Sequence, residues 1–170
     1  MIPISAVIHT LNHGHCVGRA IESLHPCEEI VVIDGGSSDH TLQIARQFGA
    51  RVAPQPAERS GLSRHSGIAV DSTVTHDWVL CILPTEALVE SLEASLYGWK
   101  HALPDGCSAY SVAIREEIEG RWRQLPAEVR FIHRRHVRWE AGLPVPLPGV
   151  RVGVLPGELA RLAAPAVSSH

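Results

Sequence analysis

The sequence predicts an α/β domain built on a mostly parallel sheet with helices on both faces. Three observations predict it. From residue 4 to residue 99, short apolar runs alternate with segments in which apolar residues recur at helical spacing. The run Glu29-Ile-Val-Val-Ile-Asp34 is β-branched, ends on a carboxylate and enters the turn Gly35-Gly-Ser-Ser38. That is the form of a buried parallel strand delivering a side chain to the carboxyl edge of a sheet, where open α/β folds bind ligands. A second apolar run of similar length stands at residues 77–83.

The elements follow in order. Residues 4–9 form the first strand. Val17, Ala20, Ile21 and Leu24 mark a helix over 16–24, and residues 29–33 the second strand. A helix over 39–48 carries Leu42, Ala45 and Phe48 on one stripe and stops at Gly49, with Ser37, Ser38 and Asp39 offering capping oxygens at its start. Residues 51–53 form a short strand before a Pro- and Ser-bearing loop over 54–63, and a short helix over 64–70 precedes the strand at 77–83. Leu88, Leu92, Leu96 and Trp99 mark a longer helix. Beyond residue 109 the pattern changes to short strands at 109–115, 129–133, 137–139 and 150–154, an antiparallel addition to the sheet edge. Residues 1–156 are expected to be a single domain, and residues 157–170 a partly disordered tail.

The 170 residues, 45% of them hydrophobic, suffice for one core. The net charge of −3 is made of interspersed charges, which gives no electrostatic basis for binding nucleic acid. No run is apolar and long enough to span a bilayer, and Met1-Ile-Pro-Ile4 begins directly as a strand without a signal peptide. Cys16, Cys27, Cys81 and Cys107 form no close pair, the pattern of a reduced, cytoplasmic chain.

The motifs resemble those of the family 2 glycosyltransferases of GT-A fold, closest to the branch of lipopolysaccharide-core β-glycosyltransferases. Ile8-His-Thr-Leu-Asn12 stands where the family has a Pro-Thr-Tyr-Asn-like loop, and Asp34-Gly-Gly-Ser-Ser-Asp-His-Thr41 matches its second strand-end turn. Ser63-Arg-His-Ser-Gly67 is similar to an Ala-Arg-Asn-x-Gly element, and Asp77-Trp-Val-Leu80 to the family's fourth strand. Residues 129–140 are similar to its Arg-Leu-Phe-Arg-Arg…Arg-Trp-Glu segment. The resemblance implies a nucleotide-diphosphate sugar, UDP-linked, with Thr10, Asn12 and Asp34 at the nucleoside and Arg64 near the diphosphate. It also implies inverting transfer to a polysaccharide or lipid-linked acceptor, in the cytoplasm or peripheral to the inner membrane face.

Two departures bear on activity. Family members continue the fourth strand into Asp-x-Asp-Glu, whose paired aspartates hold Mg²⁺ or Mn²⁺; here Leu83-Pro-Thr-Glu86 leaves Glu86 alone. One carboxylate is a poor metal site, so no cofactor is expected, and Glu86 reads either as a catalytic remnant or as a first-turn helix residue favoured by the dipole. After Trp139-Glu140 the His-Glu pair near the acceptor is replaced by Ala141-Gly-Leu-Pro-Val-Pro-Leu-Pro148, which contains no base. A degenerate, nucleotide-binding or scaffolding member is therefore the alternative. His9, His13, His15 and Cys16 crowd one loop with a zinc-like His-x-His pair but no fixed fourth ligand. His133 and His136 read as a solvated turn, Cys81 as core, and the four tryptophans as too scattered for a stacking platform.

Overall fold

The computed structural model describes residues 1–54, 70, 73–101, 105–140 and 142–163, with Lys100 and His101 described by backbone alone. The strands are β1 (Ile2–Thr10), β2 (Cys27–Asp34), β3 (Arg51–Pro54), β4 (Trp78–Ile82), β5 (Glu86–Leu88), β6 (Ala109–Ile118), β7 (Arg121–His133), β8 (Val137–Glu140), β9 (Leu143–Pro146) and β10 (Val152–Arg161). The helices are α1 (Val17–Ser23), α2 (Thr41–Gln47) and α3 (Glu90–His101). Eight strands form one sheet in the order β3-β2-β1-β4-β7-β6-β10-β5, and β8 and β9 pair as a separate hairpin. β3, β2, β1 and β4 are parallel, whereas β7 runs antiparallel to both β4 and β6.

The period-2 pattern of β1 sorts the two layers. Ile2, Ile4, Ala6 and Ile8 join Val32, Leu80 and Ile82 against α1, α2 and α3, contributed by Val17, Ile21, Ala45, Leu92 and Leu96. Val7, Val31, Ile33, Val79 and Cys81 face the other way, against Val70, Val74 and Trp139 of the β8–β9 hairpin. Trp78 and Trp99 meet edge-on at 4.9 Å and pack with Phe131, as expected for core residues. No helix among the described residues is long and apolar enough to cross a membrane.

The second half departs from the sequence reading in that β10, expected to be antiparallel, runs parallel to β6, and in three further places. β6 and β7 are longer than expected and continue as a two-stranded ribbon with Ile118 opposite Arg121. Apart from Ile118, Gly120 and Trp122, residues 115–124 are charged or polar, so hydrophobic periodicity is silent there; the ladder is closed by Glu119 and Gly120, with φ of 51° and 75°. Two positive φ values make the two-residue turn that suits a twisted hairpin. β9 was absent from the reading because its sequence, Leu-Pro-Val-Pro, lacks strand propensity and is held by pairing with β8.

The third correction concerns the tail. β10 runs through the expected domain boundary to Arg161, with Leu159 fully buried and Ala160 at 9% exposure. Gly157, at φ +101°, sits in the irregularity between Val154 and Glu158 where the strand passes over α3, after which pairing resumes with β6 and β5. The motif Ser63–Gly67 with Arg64, most of the expected helix at 64–70, and residues 164–170 lie outside the described residues.

At the amino edge, Glu29 joins three segments. It accepts hydrogen bonds from the Ser5 hydroxyl, from Arg51 at 2.6 Å and from the Thr75 backbone at 2.9 Å and hydroxyl at 3.0 Å. Burial works to raise its pKa, but those bonds outweigh it and bring the carboxyl from 4.5 to about 2. A depressed folded-state pKa means that the unfolded chain takes up the proton first on acidification. The contribution of Glu29 is therefore complete above pH 4.5 and is lost as pH falls from there through about 2. Melting temperature against pH should drop across that window, and more steeply in the parent than in Glu29→Gln. Equal slopes would remove Glu29 from the acid response.

Candidate functional site at the carboxyl edge

In the strand order β3-β2-β1-β4, the chain reverses direction of travel between β1 and β4, which places a crevice beyond their carboxyl ends. Thr10 and Asp34 are direct register partners on β1 and β2, so the parallel pairing brings the two strand-end motifs side by side. Both are buried, at 6% and 7% exposure. Asp34 therefore does not present an open carboxylate. Its oxygens accept from the backbone of Gly36 at 2.9 Å and Ser37 at 2.8 Å and from the Ser37 hydroxyl, fixing the turn that follows the strand. Gly36, at φ +104°, allows that reversal.

The loops after β1 and β2 are laced together. Asn12, in the left-handed region at φ 56°, donates its backbone N–H to Ser37 Oγ at 2.9 Å and accepts from Ser38 N at 2.8 Å through Oδ1. His13 N donates to Thr41 Oγ1 at 3.0 Å, and Gly14 N to Asp39 Oδ2 at 3.0 Å. Asp39 also receives Thr41 N and the Thr41 hydroxyl, and these bonds hold its carboxyl down at about 2. Ser37 and Ser38 do not cap α2, as the sequence suggested; His40 occupies the cap position without a side-chain bond. The result is a fixed rim in which Leu11 and Asn12 are exposed.

The histidines of this rim do not assemble a metal site. His13 Nδ1 lies 3.2 Å from Thr10 Oγ1 and accepts from Leu11 N at 3.3 Å, and the His13 and His15 rings are 6.1 Å apart. Burial and His15 lower the His13 pKa, against the opposing charge of Asp39. Among the described residues, no group of three or more His, Cys, Asp or Glu side chains is placed to hold a metal ion.

Glu86 is neither a free catalytic acid nor a first-turn helix residue. It opens β5, and it is fully buried. Arg130, also fully buried, grips it with both terminal nitrogens, at 2.7 and 3.0 Å. Arg161 adds contacts at 2.9 and 3.2 Å, and Leu83 N donates at 2.8 Å. A carboxylate with both oxygens engaged by two guanidinium groups cannot also take a proton from an acceptor or ligate a cation. Three residues separate β4 from β5, yet β5 pairs at the far end of the sheet order, so β4, β7, β6, β10 and β5 curl back around this cluster.

Arg130 is the site residue that the sequence reading missed. Burial opposes its charge, but Glu86 and then Cys81 and Glu128 raise its pKa above the usual arginine value. A signal existed: an arginine between Val129 and Phe131 in a strand, at an inward position, implies a buried carboxylate elsewhere. The partner cannot be named from spacing, because 44 residues separate the two. Arg19 completes the enclosure of the Leu83–Glu86 turn by donating to Thr85 O at 3.0 Å, and Leu162 N reaches the same oxygen at 3.1 Å. The residues present do not fit a divalent cation here: positions 83–85 offer no carboxylate, and Glu86 is committed.

Residues 5–82 match the family model described as Glycosyl transferase family 2. An uncharacterized glycosyltransferase of Rickettsia felis is 36% identical over 94 residues, covering 55% of this chain and 32% of that protein. A lipopolysaccharide core biosynthesis glycosyltransferase of Rhizobium meliloti is 43% identical over 47 residues, 28% of this chain and 17% of that one. This chain thus spans about a third or less of the length of these curated relatives. Glucosyl-3-phosphoglycerate synthase from Mycobacterium tuberculosis, solved with phosphoglyceric acid, superposes with a TM-score of 0.59 at 19% identity, covering 96% of this chain and 73% of that one. A second solved mycobacterial protein gives 0.58 at 19% identity, covering 97% and 69%. At that identity the likeness is one of fold, and the fold is the expected GT-A α/β architecture.

Proposed function

From the membership of residues 5–82 in glycosyl transferase family 2, we infer that the chain binds a nucleotide-activated sugar at the carboxyl edge of β1, β2 and β4. The observation that carries the reading is the lacing of the β1 and β2 loops through Asn12, Ser37 and Ser38, a preorganised rim at the sheet's switch point. Thr10, Asn12 and Asp34 form the nucleoside end, Asp34 by holding the turn rather than by facing an open cleft. Arg64, which lies outside the described residues, is assigned to the diphosphate from the family motif, since its fork and permanent charge suit phosphate oxygens. The sugar is carried on uridine diphosphate and passes to a glycan or lipid-linked acceptor at the cytoplasmic face of the membrane.

A second reading has a specific observation behind it. Inverting transfer needs a base for the acceptor hydroxyl, and Glu86 is fully engaged by Arg130 and Arg161. A member that binds the nucleotide sugar without transferring it, serving as a nucleotide-binding or scaffold protein, fits that commitment.

Nucleotide binding is expected to be insensitive to divalent cations, since positions 83–85 carry no carboxylate. Calorimetric titration with UDP, GDP and dTDP, each with Mn²⁺ and with EDTA, checks this. The expected result is UDP binding that is equal in both buffers and weakened in Arg64→Ala. A positioned charge of this kind stabilises the charge developing in the transition state by on the order of 3 kcal/mol, so Arg64→Ala should also lower any turnover by about a hundredfold. Binding abolished by EDTA and restored by Mn²⁺ would refute the metal-free site. Transfer or hydrolysis across a panel of sugar nucleotides separates the enzyme from the degenerate form, and no melting shift with any nucleotide would remove both.

A further inference from the structure

The β6–β7 ribbon carries an exposed aromatic ring whose surroundings are those of a sugar platform. β7 pairs with β4 only over Phe131–His133, so its earlier residues extend past the carboxyl end of β4 with β6 as their partner. Trp122 stands on this extension with 48% of its surface exposed. The Arg115 guanidinium lies 4.5 Å from the centroid of its ring and covers one face. Trp122 remains half exposed with that contact in place.

The neighbours on the same face of the ribbon are polar. Trp122 is the register partner of Glu117, and Gln124 that of Arg115. Gln124 uses its amide nitrogen on Ile114 O at 3.0 Å. Arg115 is steadied by Glu158 at 3.4 Å, and its terminal nitrogens make no hydrogen bond among the described residues. Burial lowers the pKa of Arg19, whose guanidinium holds the Thr85 carbonyl, and Cys16 and then Glu117 act against that shift through charge.

We propose that Trp122, with Arg115, Glu117 and Gln124, is a subsite for a pyranose ring of the acceptor glycan. The C–H face of the sugar stacks on the indole, which Arg115 holds from the other side, and its equatorial hydroxyls meet the Glu117 carboxylate. The occupant is a glycan rather than an anionic membrane surface for two reasons. Arg115, Arg121 and Arg123 on the ribbon are balanced by Glu116, Glu117 and Glu119, so it offers no net positive charge to lipid headgroups. Ile118, the other exposed apolar residue at the tip, pairs with Arg121 and so stands on the opposite face from Trp122, and no continuous apolar patch forms. The subsite rests on the transferase reading only in taking the bound glycan as an acceptor.

Isothermal titration calorimetry of the full chain with cellotetraose, chitotetraose and mannotetraose tests this, because it reads binding equally in the parent and in variants without the indole. At least one sugar should bind with a dissociation constant on the order of 1 mM, weakened about tenfold or more in Trp122→Ala and by less than about threefold in Trp122→Phe. Arg115→Ala should weaken it as well, and all three variants should melt with the parent. Binding unchanged in Trp122→Ala, or absent for all three sugars at about 10 mM, overturns the subsite. Loss in Trp122→Ala of co-sedimentation with phosphatidylglycerol vesicles would overturn it in favour of a membrane contact. A UDP melting shift measured alongside keeps the two readings apart: sugar binding without it leaves the platform standing and removes the donor site, and the reverse removes the platform alone.

Discussion

Glu86→Gln is expected to destabilise the protein by about 3–5 kcal/mol, the effect of stranding a buried charge. The side chain keeps its volume but loses the charge that holds Arg130, which is fully buried and grips Glu86 through two nitrogens. Glu128 also reaches Arg130, at 2.7 Å, but its side chain is 45% exposed and it offsets part of the loss in a screened setting. Arg161 loses its principal partner at the same time. For a chain of this length the melting temperature should fall by on the order of 10 °C. The informative comparison is Glu86→Leu with Arg130→Met, which removes both charges. If the cost comes from the stranded guanidinium, the double variant should recover most of the stability. A Glu86→Gln protein that melts with the parent would show that Arg130 is accommodated without it, and would return Glu86 to candidacy as a catalytic group.

Gly157→Ala is the second large effect. The glycine adopts φ +101°, and an added Cβ would stand 2.5 Å from both Leu92 Cα and Leu92 N, and 2.7 Å from Ser91 C. These are backbone atoms at the start of α3, so no side-chain rotation relieves the contact. Backbone strain of about 1–3 kcal/mol adds to a comparable cost for forcing the helix off the strand, for a total of about 4 kcal/mol. The displaced helix carries Leu92 and Leu96, both fully buried, and loosens β10 where Leu159 is buried. Gly98→Ala is the control: it lies on the exposed side of α3 with nothing within 4 Å of the added carbon. There alanine should stabilise by roughly 0.5–1 kcal/mol through helix propensity. Urea midpoints of the two variants should move in opposite directions. Similar small shifts in both would mean that β10 and α3 do not cross as closely as described.

How much was legible in the sequence depends on where each interaction lies along the chain. The parallel half was legible because its strands are buried on both faces and so read as apolar runs, as in Val31–Ile33 and Val79–Ile82, with helical stripes between them. The Asp34 turn was legible too, since an aspartate before Gly-Gly-Ser closes its hydrogen bonds within three residues. The polar ribbon of β6 and β7 was not: its stability comes from cross-strand pairing, which leaves no apolar period to detect.

By itself the sequence determined the α/β architecture of the first half, the kinship of residues 5–82, and the absence of the paired aspartates at positions 83–85. It did so because each is written in local order, in periodicity, motif spacing or residue identity. Only the tertiary structure decided the fate of Glu86, whose partners Arg130 and Arg161 lie 44 and 75 residues away. It alone returned the strand after Gly157 to the sheet, and it alone set Arg115 over Trp122. Those contacts arise from the curling of β4, β7, β6, β10 and β5 around buried charge, and from a ladder that turns back on itself. Local spacing carries no record of which distant groups such a closure brings within hydrogen-bonding range.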